Sequence, residues 1–200
     1  LYTALLARWV GVEYLGIYSL ANAIMLISEV IAKMGLETGI MRFISRLDPK
    51  TEKYQIQNII HSSLKMTGIF SILIAIVLAC FAGQLVTILN GTSLLCITIM
   101  AFAFTVPFNV ITLVSAFATQ GFKLLKCKVF TTQFLNPTVL LVCMMISYWF
   151  ISKESAIILP IVFTGVLGSI TMLLILKNIS GVKLGGIFSA PFDRNLPAYS

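Results

Sequence analysis

The sequence predicts an all-α fold, a polytopic transmembrane helix bundle. Three observations carry that prediction. Hydrophobic residues make up 58% of the 200-residue chain and charged residues 10%, where ordinary soluble domains carry about 25% charged residues. Apolar runs recur at the length of about 20 residues needed to cross a bilayer core of about 30 Å. Basic residues fall between those runs and alternate from one loop to the next. The mean hydropathy of +1.00 agrees. With so few charges the chain cannot solvate a soluble surface, so its natural solvent is lipid.

Taken in order, residues 1–7 read as the tail of a first helix, and residues 16–36 as a second span. A third span covers 62–89. A fourth covers 93–120 and is expected to break at Pro107. A fifth covers 129–151 and carries Asn136-Pro137. A sixth covers 156–176, and residues 196–200 read as the start of a further helix. The chain is therefore expected to be part of a longer protein. No soluble domain is expected, because the longest loops are too short to fold alone.

The loops set orientation. Residues 41–55 carry Arg42, Arg46, Lys50 and Lys53; residues 121–128 carry Lys123, Lys126 and Lys128; residues 177–195 carry Lys177, Lys183 and Arg194. The intervening loops are nearly bare of charge. By the positive-inside rule these three loops are cytoplasmic. The same rule accounts for the net charge of +7, and no basic patch interleaved with aromatics points to nucleic acid. The stretch Ala7-Arg8-Trp9-Val10-Gly11-Val12-Glu13-Tyr14-Leu15 becomes the outer hairpin between helices one and two, with Trp9, Tyr14 and Tyr18 suited to the membrane interface.

Charges inside a span are the informative residues, since each costs about 2.5–3.5 kcal/mol at the bilayer centre on the insertion scale. Asn22, Glu29 and Lys33 lie within about 40° of one another on a helix of 100° per residue, so helix two carries a polar stripe. Glu29 stands four residues before Lys33, the favourable order for an ion pair along one face. The stripe faces either a hydrated cavity or a neighbouring helix. Arg8 and Arg42 mark the two ends of that helix and suit lipid phosphates or simple anchoring. Pro107 with Asn109, and Asn136 with Pro137, place a helix breaker beside an amide, for kinking or for packing. His61, the one histidine, reads as a hydrogen-bonded interfacial residue. Gly165, Gly168 and Ser169 suit a small-residue packing face.

Several classes are excluded or weakened. Cys80, Cys96, Cys127 and Cys143 form no CxxC and read as small apolar residues. Two glycosylation sequons, at Asn90 and Asn178, read as chance matches. The two aspartates, Asp48 and Asp193, lie in loops, and no DxD, HExxH, GxSxG or P-loop is present. The chain is not expected to be an enzyme.

Three segments carry a resemblance. Ala7-Arg8-x-x-Gly11-x-x-x-x-Gly16-x-Tyr18-Ser19-Leu20 resembles the start of the polysaccharide-biosynthesis, O-antigen-type flippases. These belong to the superfamily that also holds multidrug and toxic-compound extrusion proteins and lipid II flippases. The segment from Met34-Gly35-Leu36 to Arg42-Phe43 is similar to the family's Gly-Leu…Arg-Phe segment, and Gln120-Gly121-Phe122-Lys123 to its Gln-Gly-x-basic segment. The resemblance implies one six-helix, N-terminal lobe of a two-lobe transporter in a prokaryotic plasma (inner) membrane. It implies alternating access and a polyprenyl-pyrophosphate-linked oligosaccharide as substrate. Lys33 would then be the headgroup counter-ion, fixed by Glu29, with Asn22 on sugar or water, Arg8 and Arg42 on phosphate, and Asn109 on the pathway. Membrane lipids and other polysaccharide-assembly proteins would be partners, and nucleic acid would not. No cofactor is expected, and coupling to a Na+ or H+ gradient stays open. A cation-coupled multidrug exporter of the same superfamily and a non-transporting membrane assembly subunit are the alternatives.

Overall fold

The computed structural model describes residues 2–47, 51–150 and 155–180. Within them the chain is helical: α1 (Tyr2–Trp9), α2 (Val12–Lys33), α3 (Leu36–Arg46), α4 (Lys53–Ile88), α5 (Ser93–Gly121), α6 (Leu125–Val129), a π-helical segment (Phe130–Leu135), α7 (Asn136–Phe150) and α8 (Ser155–Ser180). Among the described residues five helices are long and apolar enough to cross a membrane: α2, α4, α5, the run Leu125–Trp149, and α8. The chain is a polytopic helical membrane protein.

The expected hairpin before helix two is shorter than its sequence suggests. α1 continues to Trp9 and α2 starts at Val12, leaving Val10 and Gly11 as the turn. Gly11 has φ 121°, a left-handed value that a side chain disfavours. Tyr2 and Tyr18 meet across the turn with ring centroids 5.3 Å apart, and Tyr18 sits edge-on to Phe102 of α5 at 6.0 Å. Trp9 stacks obliquely on Tyr148 of α7 at 5.7 Å. Tyr18 and Trp9 therefore pin the α1–α2 hairpin to the bundle.

The expected loop over 41–55 is largely a helix. α2 ends at Lys33, and two successive left-handed residues, Met34 (φ 47°) and Gly35 (φ 73°), turn the chain into α3. α3 is amphipathic: Ile40 and Ile44 are buried, while Arg42 and Arg46 are exposed. α4 starts at Lys53 and runs far longer than the expected span, about 54 Å at 1.5 Å per residue. The helix thus extends beyond the hydrocarbon thickness. α5 runs without a break through Pro107, against the expected interruption; a membrane helix keeps its course when neighbouring groups and local adjustment accommodate the freed carbonyl.

The basic segment 121–128 is a tight turn and a short helix. Lys123 takes φ 63°, Lys123 N donates to Gln120 O, and Leu124 N donates to Thr119 O, closing the end of α5. The fifth span then begins earlier than expected, at Leu125. It enters through the π-helical segment, where Asn136 N–H donates five residues back to Thr131 O, just before Pro137. The expected sixth span lies within α8, which includes Lys177. Residues 181–195 of the expected last basic loop, and the expected helix start at 196–200, lie outside the described residues, as do Lys50 and Lys153.

α5 is the hub, packing against α2, α3, α4 and α8. The bundle is apolar outside, and its apolar core also encloses a set of hydroxyl side chains. Ile69, Ile72, Leu73, Ile76 and Phe81 of α4 are exposed, whereas Thr67, Thr98, Thr105, Thr112 and Thr119 are buried. Those hydroxyls donate to carbonyls in the preceding turn of their own helices: Thr67 to Ser63 O, Thr98 to Leu94 O, Thr112 to Phe108 O. The exterior faces lipid tails as apolar as Leu, so close packing and internal hydrogen bonds, not apolar burial, hold the helices together.

Gly121 shows how close that packing is. A Cβ there would stand 2.8 Å from Ile44 Cβ and 3.2 Å from Met41 O, so the end of α5 seats α3 directly on its backbone. The two segments that carry the resemblance near 34–43 and 120–123 therefore touch. Gly121→Ala is expected to destabilise the protein by about 1–3 kcal/mol, as overpacking does. Gly68→Ala, where an added Cβ meets nothing within 4 Å, is expected to be neutral or slightly stabilising. Thermal melts in one detergent would compare them.

Candidate functional site

The polar stripe on α2 divides into parts with different partners. Glu29 is 5% exposed and turned into the bundle. Its carboxylate Oε1 accepts a hydrogen bond from Asn109 Nδ2 of α5 at 2.8 Å. Lys33, expected to pair with Glu29, instead pairs with Glu37 of α3, Nζ to Oε2 at 3.1 Å. The Met34–Gly35 turn explains the exchange: it carries α3 around so that Glu37 still falls one turn beyond Lys33. Asn22 is half-buried higher on α2.

Asn109 is held from three sides. Besides Glu29, its amide approaches Met25 Sδ at 3.8 Å. On the far side lies Gly165 of α8, where a Cβ would stand 3.3 Å from Asn109 Oδ1. Asn136 occupies a matching niche against Gly168, whose Cβ would stand 3.0 Å from its Oδ1. The packing face foreseen in Gly165 and Gly168 thus seats the two amides that accompany Pro107 and Pro137. Small residues on α8 let polar side chains fit where two helix surfaces otherwise meet.

Further polar groups gather toward the end of the bundle that carries the basic residues. Lys128 of α6 donates to Gln120 Oε1 at 2.9 Å and lies 3.6 Å from the centroid of the Phe117 ring. The Glu37 carboxylate also attracts it. Glu37 is ion-paired to Lys33 of α2, while Lys128 of α6 is held by Gln120 and Phe117. Three separate polar pairs result: Asn109 with Glu29 in the bundle interior, and Lys33 with Glu37 and Lys128 with Gln120 at the basic end.

A cavity of about 360 Å³ lies at the same end, lined by Gly35 of the turn, by Thr38, Gly39, Arg42 and Arg46 of α3, and by Ser63 of α4. It brings Arg42 together with Arg46 and Ser63, neither of which stood out in the sequence as a site residue. Arg42 and Arg46 are one helical turn apart, a spacing that puts them on one face; that signal was present, but only once α3 is known to be a helix. Arg8 is exposed near the turn at the opposite end, apart from the other candidates. His61, expected to be hydrogen-bonded, is buried, and its Nε2 has no partner among the described residues. Among the described residues no group of three or more His, Cys, Asp or Glu could hold a metal ion.

The Glu29–Asn109 contact makes a definite expectation. Asn109→Ala leaves a buried carboxylate without its donor and should destabilise the protein by about 1–3 kcal/mol. Adding Glu29→Gln removes the stranded charge and should recover part of that loss. Melts of the two single variants and the double variant measure the coupling.

The chain matches the family model described as polysaccharide biosynthesis protein over residues 1–196. No curated protein and no solved structure shows a match. The family match spans both the seat of α3 on Gly121 and the Glu29–Asn109 contact. With it, the chain belongs to the polysaccharide biosynthesis protein family, a family of multi-pass membrane transporters and flippases.

Proposed function

We infer that this chain is the N-terminal lobe of a flippase. Its substrate is a polyprenyl-pyrophosphate-linked oligosaccharide, moved across the plasma membrane by alternating access for cell-surface polysaccharide synthesis. The observation that carries the reading is the run of ionisable groups along α2 and α3, set in a helical bundle of this family: Glu29, Lys33 and Glu37. Ionisable residues within membrane spans mark polar pathways by default, because hydrocarbon penalises them otherwise.

The physical task is to carry sugar and phosphate past hydrocarbon while the prenyl tail stays in lipid. Lys33 is the counter-ion in this reading. Its Glu37 partner holds the ammonium until a substrate phosphate competes for it. Glu29, bonded to Asn109, fixes the helix that presents Lys33 and does not fix the ammonium itself. Asn22 hydrogen-bonds sugar or water, and Arg8 and Arg42 meet phosphate at the two interfaces. The basic loops are cytoplasmic, and transport needs no cofactor. An ion gradient as energy source and other polysaccharide-assembly proteins as partners belong to the same reading.

The burial of Glu29 against Asn109 favours one competing reading, a membrane assembly subunit whose polar stripe only packs. The two readings separate at Lys33. In the intact protein, expressed in cells lacking their own copy, Lys33→Ala should lower surface glycan about tenfold or more, the loss expected from removing one charge-assisted contact. Glu29→Gln keeps a hydrogen-bonding partner for Asn109 and should cost less. If Lys33→Ala, Glu29→Ala and Asn22→Ala all left surface glycan unchanged at normal protein levels, the pathway assignment would be wrong.

A further inference from the structure

The cavity along α3 holds Arg46 and Ser63, which the proposed transport pathway does not use, beside Arg42, which that reading sets against phosphate at the membrane interface. Arg42 and Arg46 both line it, and among the described residues neither is paired with a carboxylate. The acidic residue of their own helix, Glu37, is engaged by Lys33. Glu37 lies about 140° around α3 from Arg42, so it does not neutralise the arginine face.

Ser63 supplies an independent observation. It is 2% exposed, it lines the same cavity, and its hydroxyl has no hydrogen-bond partner among the described residues. Other buried hydroxyls of α4 donate within their helix, Thr67 to Ser63 O and Ser71 to Gly68 O. A buried hydroxyl left unpaired costs about 1–3 kcal/mol. A ligand oxygen reaching Ser63 would remove that penalty.

Two guanidinium groups and a hydroxyl suit a phosphate, whose oxygens accept forked hydrogen bonds from arginine. The rest of the lining chooses among phosphates. Met34, Leu36 and Phe43 give the cavity apolar walls, and Met34 is 55% exposed. Amphipathic α3 joins the end of one membrane-crossing helix to the start of another, and such helices lie in the membrane interface. A free phosphate ion has nothing to set against the apolar walls, whereas a lipid does.

We propose that the α3–α4 cavity binds the phosphate headgroup of a membrane lipid, with Arg42 and Arg46 as its cationic ligands and Ser63 as a hydroxyl donor. The acyl chain lies along the Met34, Leu36 and Phe43 side. The site needs the membrane setting but not transport, so failure of lipid binding leaves the flippase reading standing, and loss of transport leaves lipid binding standing.

The test is a thermal-shift titration of the full-length protein in a neutral detergent. The probes are dioleoyl phosphatidic acid, dioleoylglycerol and inorganic phosphate. Phosphatidic acid should raise the melting midpoint, and the other two should not at matched concentration. Arg42→Ala and Arg46→Ala should each weaken the apparent affinity about tenfold, and the double variant should abolish the shift. Both side chains are exposed, so these variants are expected to fold. Ser63→Ala separates binding from stability. It should melt at the same or a higher temperature without lipid, because an unpaired hydroxyl is removed, yet bind phosphatidic acid more weakly. Unchanged affinity in the Arg42→Ala/Arg46→Ala variant would overturn the proposal. Equal stabilisation by inorganic phosphate would overturn the choice of a lipid.

Discussion

Hydrocarbon leaves a carboxylate no solvent partner, so Glu29 must find one within the protein, and it finds Asn109. That hydrogen bond ties α2 to α5, the helix against which α2, α3, α4 and α8 all pack. Asn109 can stand there only because Gly165 of α8 offers no side chain. One polar contact thus fixes the relative positions of three helices. Asn136 fits against Gly168 by the same close approach, though its Oδ1 has no hydrogen-bond partner among the described residues, and buried hydroxyls bond their own helix backbones. Apolar surface distinguishes little between one helix neighbour and another in lipid, so polar contacts and close backbone approach carry the specificity.

From this frame the charges fall into two groups. Glu29 is enclosed and structural in its immediate contacts. Lys33 and Glu37 lie nearer the basic end and pair with each other, and Lys128 is held there by Gln120. The arginine face of α3 lies apart from this group, because Glu37 and Arg42 sit on different sides of the same short helix. One amphipathic helix thereby presents a paired acidic side to the bundle and a basic side to the cavity that no carboxylate among the described residues pairs.

The bundle was legible in the sequence because span length and charge alternation are imposed by the bilayer itself. Helix ends were less legible. Segments 7–15, 41–55 and 121–128 are polar or glycine-bearing and read as loops, yet most of their described residues are helical, since short amphipathic helices and two- or three-residue turns leave only weak local signals. Pro107 misled because its cost in water does not transfer to a helix enclosed by neighbours. Asn22, Glu29 and Lys33 all fall within α2, but the pairing of Glu29 and Lys33 was not readable. The exchange of Glu29 for Glu37 depends on two left-handed residues, Met34 and Gly35, and the choice of Asn109 depends on a contact eighty residues away. Ser63 gave no signal at all, because its interest lies in the partner it lacks.

The central claim is that a bundle of this kind moves a phosphate-linked glycan between leaflets. The most direct measurement uses proteoliposomes holding the full-length protein and a polyprenyl-pyrophosphate-linked oligosaccharide with a labelled sugar. A glycan-cleaving enzyme outside the vesicles reports how much label becomes accessible with time. The expected result is label from the inner leaflet becoming cleavable when the protein is present and staying protected in protein-free vesicles. The same protected fraction with and without folded protein, across imposed Na+ and H+ gradients, would contradict the account.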